Sequence, residues 1–158
     1  MAPAFPSGDD RADFGNGRRP SPKRFSFHDI VLRNRLTALV VDGVDFCRLV
    51  EQGFLRACGL ETQGVNNGDA AIELIASGTK FDLIIIDMFL PVLDSLETTR
   101  RIRALGERCK IVGVSAYIGE NDREAFLAAG GDVFSEKPVS PEVLIPILRE
   151  IDGQYSNI

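Results

Sequence analysis

The sequence predicts an α/β fold: a doubly wound, five-stranded parallel sheet of (βα)5 order, with helices on both faces in three α/β/α layers. Short runs of aliphatic and β-branched residues alternate five times with segments of helical period, and such alternation is typical of a parallel sheet. The third apolar run, residues 83–86, has no polar residue at any position, as expected of a strand that is buried on both faces.

The first two strand–helix units occupy residues 36–76. Residues 36–41 (LTALVV) form a short apolar run that is predicted to be the first strand. Residues 45–57 are predicted to be a helix that ends before Gly59, with an apolar stripe of Phe46, Leu49, Val50, Phe54 and Leu55. Residues 61–65 are predicted to form the second strand, and residues 69–76 the second helix, in which Ala, Ile and Leu recur at helical spacing.

The remaining units repeat this order. After the third strand at 83–86, the pattern predicts a third helix at 96–105, a fourth strand at 111–114, a fourth helix at 120–129, a fifth strand at 132–134 and a last helix at 141–151. The fourth helix is closed by two glycines, and the last begins at Pro141, a residue that suits the first turn of a helix. The predicted order therefore places a helix after every strand.

The domain is predicted to span residues 36–152. Residues 1–35 hold four of the eight prolines and show no sustained period, so we expect a disordered or loosely packed N-terminal tail. Within this tail, Phe25, Phe27 and residues 30–32 could form a short helical segment that packs on the edge of the domain. Residues 153–158 are predicted to be a short C-terminal tail.

Charge and composition exclude several classes of function. The net charge of −5 divides into +3 over residues 1–35 and −8 over the rest, so direct binding of nucleic acid is not expected. No apolar stretch reaches the ~20 residues of a bilayer helix, and no membrane partner is expected. Three widely spaced cysteines and the lone His28 fit neither a zinc site nor a disulfide framework. A reducing compartment, the cytoplasm or the nucleus, is the expected location.

Chemically active residues stand where four predicted strands end. They are Asp42, Asp87, Ser115 and Lys137. Each alone is a common turn, cap or surface residue, but the carboxyl ends of parallel strands meet at one edge of the sheet, where ligands bind. Two carboxylates there could hold Mg²⁺, one carboxylate could attack a phosphoryl group, and the hydroxyl and ammonium could neutralise its oxygens. A nucleotide triphosphatase is not indicated, because the phosphate-binding loop G-x-x-x-x-G-K-[ST] is absent.

Several sequence stretches carry a family resemblance: VVDGVDFCRLVEQGFL, NNGDAAIELI, FDLIIIDMFLPVLDSLETTRRIR, KIVGVSA and DVFSEKP. Together they resemble the receiver domain of two-component response regulators over roughly residues 36–152. Their sequence is most similar to that of the small stand-alone receivers of plants. The resemblance implies a flavodoxin-like fold. It also implies a response regulator receiver that accepts a phosphoryl group from a histidine phosphotransfer protein in a His-to-Asp phosphorelay: a phosphoacceptor signalling protein rather than an enzyme, of the kind used in cytokinin signalling.

The resemblance implies a role for each candidate residue. Asp87 would be the phosphoacceptor, Ser115 would bind the phosphoryl group in the active state, and Lys137 would pair with it. Phe134 would be the aromatic residue that changes rotamer on activation. Mg²⁺ would be held by Asp42, by Asp87 and by the backbone carbonyl of Phe89.

Two departures from the family pattern leave alternatives open. Gly43 follows Asp42 where the family has a second acid, the direct metal ligand, and nearby Asp45 suits a helix N-cap better than a metal ligand. Ser95 replaces a glycine that eases a tight turn. The alternative hypothesis is a pseudo-receiver, a protein-binding module without phosphotransfer and without Mg²⁺. A flavin carrier of flavodoxin-like fold is a weaker third hypothesis, because no phosphate-binding loop follows the first strand and no tryptophan is present.

Overall fold

A computed structural model describes residues 26–117 and 119–156 of the chain. Strands and helices alternate along these residues. The strands are β1 (Thr37–Val41), β2 (Glu61–Val65), β3 (Leu83–Asp87), β4 (Lys110–Ser115) and β5 (Val133–Glu136). The helices are α1 (Asp45–Ala57), α2 (Gly68–Ala76), α3 (Ser95–Ala104), α4 (Glu120–Ala128) and α5 (Pro141–Ser156).

The five strands form one parallel sheet in the order β2–β1–β3–β4–β5. The chain first moves outward from β1 to β2 and then returns past β1 to β3, so the direction of winding reverses between β1 and β3. In open sheets of this type, ligands bind beyond the carboxyl ends of the strands that flank the reversal. Asp42 follows β1 and Asp87 ends β3. The predicted fold class is confirmed, and it places both aspartates at the reversal.

The sheet is buried between two apolar layers. On one face, Ala38, Val40, Leu83 and Ile85 pack with side chains of α1 and α5, among them Leu55, Leu144 and Leu148. On the other face, Leu39, Val41, Ile84 and Ile86 pack with side chains of α2, α3 and α4, among them Ala71, Ile102 and Phe126. Each fully buried Leu or Ile contributes about 1.5–3 kcal/mol. Because side chains alternate between the faces of a strand, Asp42 and Asp87 continue the set that faces α1 and α5.

The inward face of α1 differs from the predicted stripe. Phe46 and Leu49 are 75% and 60% exposed, and the buried residues are Glu51, Gln52 and Leu55. The predicted stripe was wrong for its first members, because contact with the sheet at Leu55 sets the rotation of the helix and turns the more apolar Phe46 toward solvent. An apolar surface is therefore left on α1.

The two ends of the domain extend beyond their predicted boundaries. Helix α5 continues to Ser156, so it includes most of the segment that was expected to be a C-terminal tail. The predicted N-terminal tail lies outside the described residues up to residue 25. Residues 26–35 form turns instead of the expected short helix. Among the helices of the described residues, none is long and apolar enough to cross a bilayer.

Residues 26–35 are attached to the domain by both apolar and polar contacts. The ring of Phe27 stacks on Phe54 of α1 with centroids 4.5 Å apart, and Ile30 is buried in the core. The backbone N–H groups of Arg33 and Asn34 donate to the carboxylate of Asp152 at 2.8 and 2.9 Å. These bonds hold the pKa of Asp152 below its usual value. The packed part of the chain therefore begins before residue 36.

Candidate functional site

Lys137 joins the two aspartates at the reversal point. Its ammonium lies 2.7 Å from Oδ2 of Asp42 and 3.4 Å from Oδ2 of Asp87. Asp42 is fully buried, and Asp87 is nearly so. The backbone positions Lys137 as well, because its N–H donates to the carbonyl of Ser115 at 2.9 Å and so extends the β4–β5 pairing by one residue. Three of the predicted site residues therefore form one ion-pair cluster.

The electrostatics of this cluster favour a charged lysine and a basic carboxylate. Burial raises the pKa of Asp87, and the charge of Asp42 raises it further, although Lys137 and the N–H of Phe89 oppose the change. Burial lowers the pKa of Lys137, but the hydrogen bond to Asp42 and the charges of both aspartates outweigh burial, and the net pKa is raised. Lys137 therefore stays protonated beside a carboxylate that is more basic than usual.

Ser115 lies at the same edge, but its hydroxyl has a local partner. The hydroxyl donates to the carbonyl of Tyr117 at 2.7 Å, and Oγ of Ser115 accepts from the N–H of Tyr117 at 3.2 Å. The Ser115 side chain lines a cleft of about 220 Å³ whose other walls include Met88, Ser95 and Asp122. The fold brings Ser115 to the rim without a hydrogen bond to Asp87.

The loop between β3 and α3 is tied to Asp87 from both sides. The N–H of Phe89 lies 3.4 Å from Oδ1 of Asp87, and the side chain of Phe89 is exposed. The buried hydroxyl of Ser95 donates to the backbone carbonyl of Asp87. Asp94 caps α3 by accepting from the N–H of Glu97 at 2.8 Å. Ser95 is thus the first residue of the helix and needs no glycine-like conformation.

Backbone strain in this loop falls at Val92, with a φ of 73°. A β-branched residue in the left-handed region is a steric outlier that costs on the order of 1–3 kcal/mol. Ser95 stands where the family has a glycine that eases a tight turn, and the left-handed residue of this loop lies three positions earlier, at Val92. The surrounding loop holds Val92 in place and leaves its side chain exposed.

The position of the missing acid is filled by a neighbouring side chain. A Cβ atom added at Gly43 would lie 2.9 Å from Cδ of Pro91, which is closer than van der Waals contact. Asp45 does not replace the acid, because it points outward and pairs with Arg48 at 2.6 Å. It is not the N-cap either, since Val44 is the cap residue and no side chain caps α1. The prediction of an Asp45 cap was wrong.

Phe134 is buried at the sheet edge. Its ring packs against Phe126 at a centroid distance of 5.9 Å, and the guanidinium of Arg123 lies 5.7 Å from its centroid. The ring of Phe126 fits only because residues 113 and 131 are glycines. A Cβ atom added at Gly113 would lie 2.9 Å from the ring, and one added at Gly131 would lie 2.1 Å from it. Phe134 therefore occupies an inward, aromatic-lined position, and its switching role stays a prediction.

Sequence reasoning missed Glu51 of α1. Glu51 is 2% exposed, and neither carboxylate oxygen has a hydrogen-bond partner in the part of the chain that the structure describes. Burial raises its pKa to about 7, the charges of Asp42 and Asp87 raise it as well, and Lys137 lowers it. One signal was available: Glu51 precedes the buried Leu55 by four residues and so shares its helix face. The more apolar Phe46 and Leu49 concealed this face.

The oxygen donors of the cluster suit a hard divalent cation that keeps most of its waters. Both oxygens of Asp42 are engaged, one by Lys137 and the other by the N–H of Val44 at 2.9 Å. Asp87 is the more available carboxylate, and the N–H of Phe89 lies 3.4 Å from its Oδ1; a metal-binding role for the carbonyl of Phe89 stays a prediction. Within the described residues, no three His, Cys, Asp or Glu side chains are placed together to hold one metal ion. The set fits Mg²⁺ only as a partly hydrated ion.

Comparisons with known proteins agree on one family. The sequence model of one protein family, the response regulator receiver domain, matches residues 38–149. The chain is 34% identical over 119 residues to Two-component response regulator 24 of Arabidopsis thaliana, covering 75% of this chain and 86% of the relative. It is 35% identical over 121 residues to Two-component response regulator ORR41 of Oryza sativa subsp. japonica, covering 75% and 95%.

A solved structure supports the fold independently. A CheY-like response regulator receiver domain from Methanospirillum hungatei JF-1 superposes with a TM-score of 0.70 and covers 79% of this chain and 100% of that one. At 23% sequence identity, this likeness concerns the fold alone.

Proposed function

This chain belongs to the response regulator receiver family, and we propose that it accepts a phosphoryl group from a histidine phosphotransfer protein onto Asp87. The receiver domain is of the plant two-component type, a class of signalling protein. The observation that carries the proposal is the ammonium of Lys137, which contacts Asp42 and Asp87 at the reversal point of the sheet. Matches that span 86% and 95% of the relatives leave little of those relatives outside the receiver.

The chemistry assigned to Asp87 is an in-line displacement at phosphorus. An Asp87 carboxylate oxygen forms the new P–O bond while the P–N bond of the phosphohistidine breaks, and the imidazole nitrogen keeps the electron pair. The raised pKa of Asp87 makes this oxygen a better nucleophile, and Lys137 stabilises the charge that gathers on the phosphoryl oxygens. For Ser115 to bind that group, its hydroxyl must leave the carbonyl of Tyr117.

Mg²⁺ would add charge neutralisation of the phosphoryl oxygens when bound. Asp87 and the carbonyl of Phe89 would hold it directly, and Asp42 would act through water because its oxygens already have partners. Receiver domains generally use this ion, and its use by this chain is part of the proposal.

An apolar rim next to Asp87 supports a protein as the phosphodonor. Two segments flank the cluster and carry exposed apolar side chains: the start of α1 with its cap residue (Val44, Phe46, Leu49) and the β3–α3 loop (Phe89, Val92). Exposed apolar groups concentrated beside a charged site are typical of a protein-binding surface. The same rim suits the alternative function, a pseudo-receiver that binds a partner without phosphotransfer, which the Gly43–Pro91 contact favours.

Phosphotransfer separates the two functions. The purified protein is mixed with a phosphorylated histidine phosphotransfer protein, with and without Mg²⁺, alongside Asp87→Asn and a control, Asp45→Asn. Asp45 is an acid at the same rim, outside the cluster. We expect loss of label from the donor that requires Asp87 and is unchanged in Asp45→Asn. Transfer that survives Asp87→Asn would contradict the site, and no transfer at all would favour the pseudo-receiver.

A further inference from the structure

Glu51 is a buried acid without any hydrogen-bond partner. Its side chain is almost fully enclosed, and both oxygens lack a donor within the described residues. A buried, unpaired carboxylate costs several kcal/mol unless something compensates its charge. Retaining such a group in a domain of this size indicates that it has a use other than packing.

Glu51 lies on the face of α1 that packs against the sheet. Helix α1 begins directly after β1, so its first turns lie against the carboxyl edge of the sheet and its later turns against the core. Glu51 precedes Leu55 by one turn on the inward face, and Leu55 packs in the core layer that α1 shares with the sheet. Glu51 therefore lies between this core and the rim. The charges of Asp42, Asp87 and Lys137 all act on its carboxylate.

The charge of the cluster changes when Glu51 is included. Asp42, Asp87 and Lys137 together carry −1, because Gly43 supplies no acid. Above its raised pKa of about 7, Glu51 is ionised and the total becomes −2, which one divalent cation balances. The space beside Gly43 is filled by Pro91, so an acid could not stand there without moving the β3–α3 loop. Glu51 is a buried acid on which the charges of this cluster act.

We propose that Glu51, without binding the ion itself, supplies through space from beneath the rim part of the negative charge that position 43 lacks at the divalent-cation site. Glu51 acts through space as a positioning residue, since the described residues form no cage of three ligands. This inference rests on the proposed function, because it assumes a cation beside Asp87.

The test is a titration of thermal stability with MgCl₂, which needs no phosphodonor. A cation that binds only the folded protein raises the unfolding midpoint by mass action. The variants are Glu51→Gln, which keeps the shape and removes the charge, and Glu51→Met, which suits a buried apolar site. The control is Glu61→Gln on β2, because Glu61 is an exposed acid whose loss changes the net charge equally.

We expect both Glu51 variants to need about tenfold more Mg²⁺ for half of the stabilisation, and Glu61→Gln to differ little from the wild type. Without Mg²⁺, Glu51→Gln should be at least as stable as the wild type, because it removes an unpaired buried charge. A purely structural role would instead lower stability and leave the Mg²⁺ response unchanged.

The outcomes distinguish this inference from the proposed function. Equal Mg²⁺ responses in the wild type and Glu51→Gln would overturn the assignment of Glu51 and leave phosphotransfer to Asp87 untouched. A wild type that does not respond to Mg²⁺ would overturn the cation site and this inference together, while the phosphotransfer assay still decides the role of Asp87. Failure of both Glu51 variants to fold would show that Glu51 is needed for packing of the core and would likewise overturn this inference.

Discussion

Pro91 lies against Gly43, so that its ring fills the space into which a side chain at position 43 would extend. The contact links the end of β1 to the β3–α3 loop. The absence of an acid at position 43 is thus accompanied by close packing of the β3–α3 loop against this position, and the two features must be considered together.

Restoring an acid at position 43 is expected to be destabilising. Gly43→Asp would bring Cβ within 2.9 Å of Cδ of Pro91, and relieving the overlap should lower the free energy of unfolding by about 1–3 kcal/mol. The double variant Gly43→Asp/Pro91→Ala should recover much of this loss, which a double-mutant cycle in urea measures. Gly53→Asp on α1 is the control, since nothing lies within 4 Å of a Cβ there. Additive effects of the two substitutions would argue against the contact.

Asp42 and Asp87 are expected to differ in their effect on stability. Asp42→Asn removes the charge of the closest partner of Lys137 and leaves a largely enclosed ammonium poorly compensated, so it should cost about 3 kcal/mol. Asp87→Asn should be neutral or stabilising, because the raised pKa of Asp87 shows that the fold disfavours its charged form. Urea unfolding at pH 7 without divalent cations measures both. A larger loss in Asp87→Asn than in Asp42→Asn would contradict the described cluster.

The pH dependence of stability should reveal Glu51. Its pKa is raised from 4.5 to about 7, so the native state holds this proton more tightly than the unfolded chain does. The protonated Glu51 therefore contributes its full share of the free energy of unfolding below about pH 4.5, and this contribution is lost as the pH rises to about 7. The loss is on the order of 2–3 kcal/mol.

The difference between the wild type and Glu51→Gln isolates this contribution. Asp42 and Asp87 from the sheet and Lys137 from the β5–α5 loop act on Glu51, and all three are retained in the variant. Unfolding free energies are measured from pH 4.5 to 8 in the presence of a chelator. The wild type should lose stability relative to the variant as the pH rises. Parallel curves would show that Glu51 does not titrate in this range.

Ser95 is expected to stabilise the backbone of the phosphoacceptor. Ser95→Ala removes the hydroxyl that donates to the carbonyl of Asp87, and it should cost about 1–2 kcal/mol because both groups are buried. Thr99→Ser is a matched control, since it keeps the hydroxyl that donates to the backbone carbonyl of Ser95 at 2.7 Å. Unfolding in urea gives the stability, and hydrogen exchange in the β3–α3 loop reports the local effect. Unchanged protection of that loop would count against the role of Ser95.

Much of the fold followed from local pattern. The uninterrupted apolar run of β3 and the alternation of strands with helices predicted the sheet, and the ends of the strands predicted that Asp42, Asp87 and Lys137 would approach one another. These predictions hold because hydrophobic period and chain order together constrain a parallel sheet closely. Family resemblance added the proposed role of each residue.

Long-range contacts explain what local pattern could not show. The rotation of α1 places Glu51 inside and Phe46 outside, against the order of their hydrophobicity, because packing at Leu55 outweighs the preference of any single side chain. The Gly43–Pro91 contact joins residues that are far apart in sequence, as does the anchoring of residues 33 and 34 by Asp152. Local period specifies which residues form strands and helices; the free energy of packing them together specifies which side chains meet.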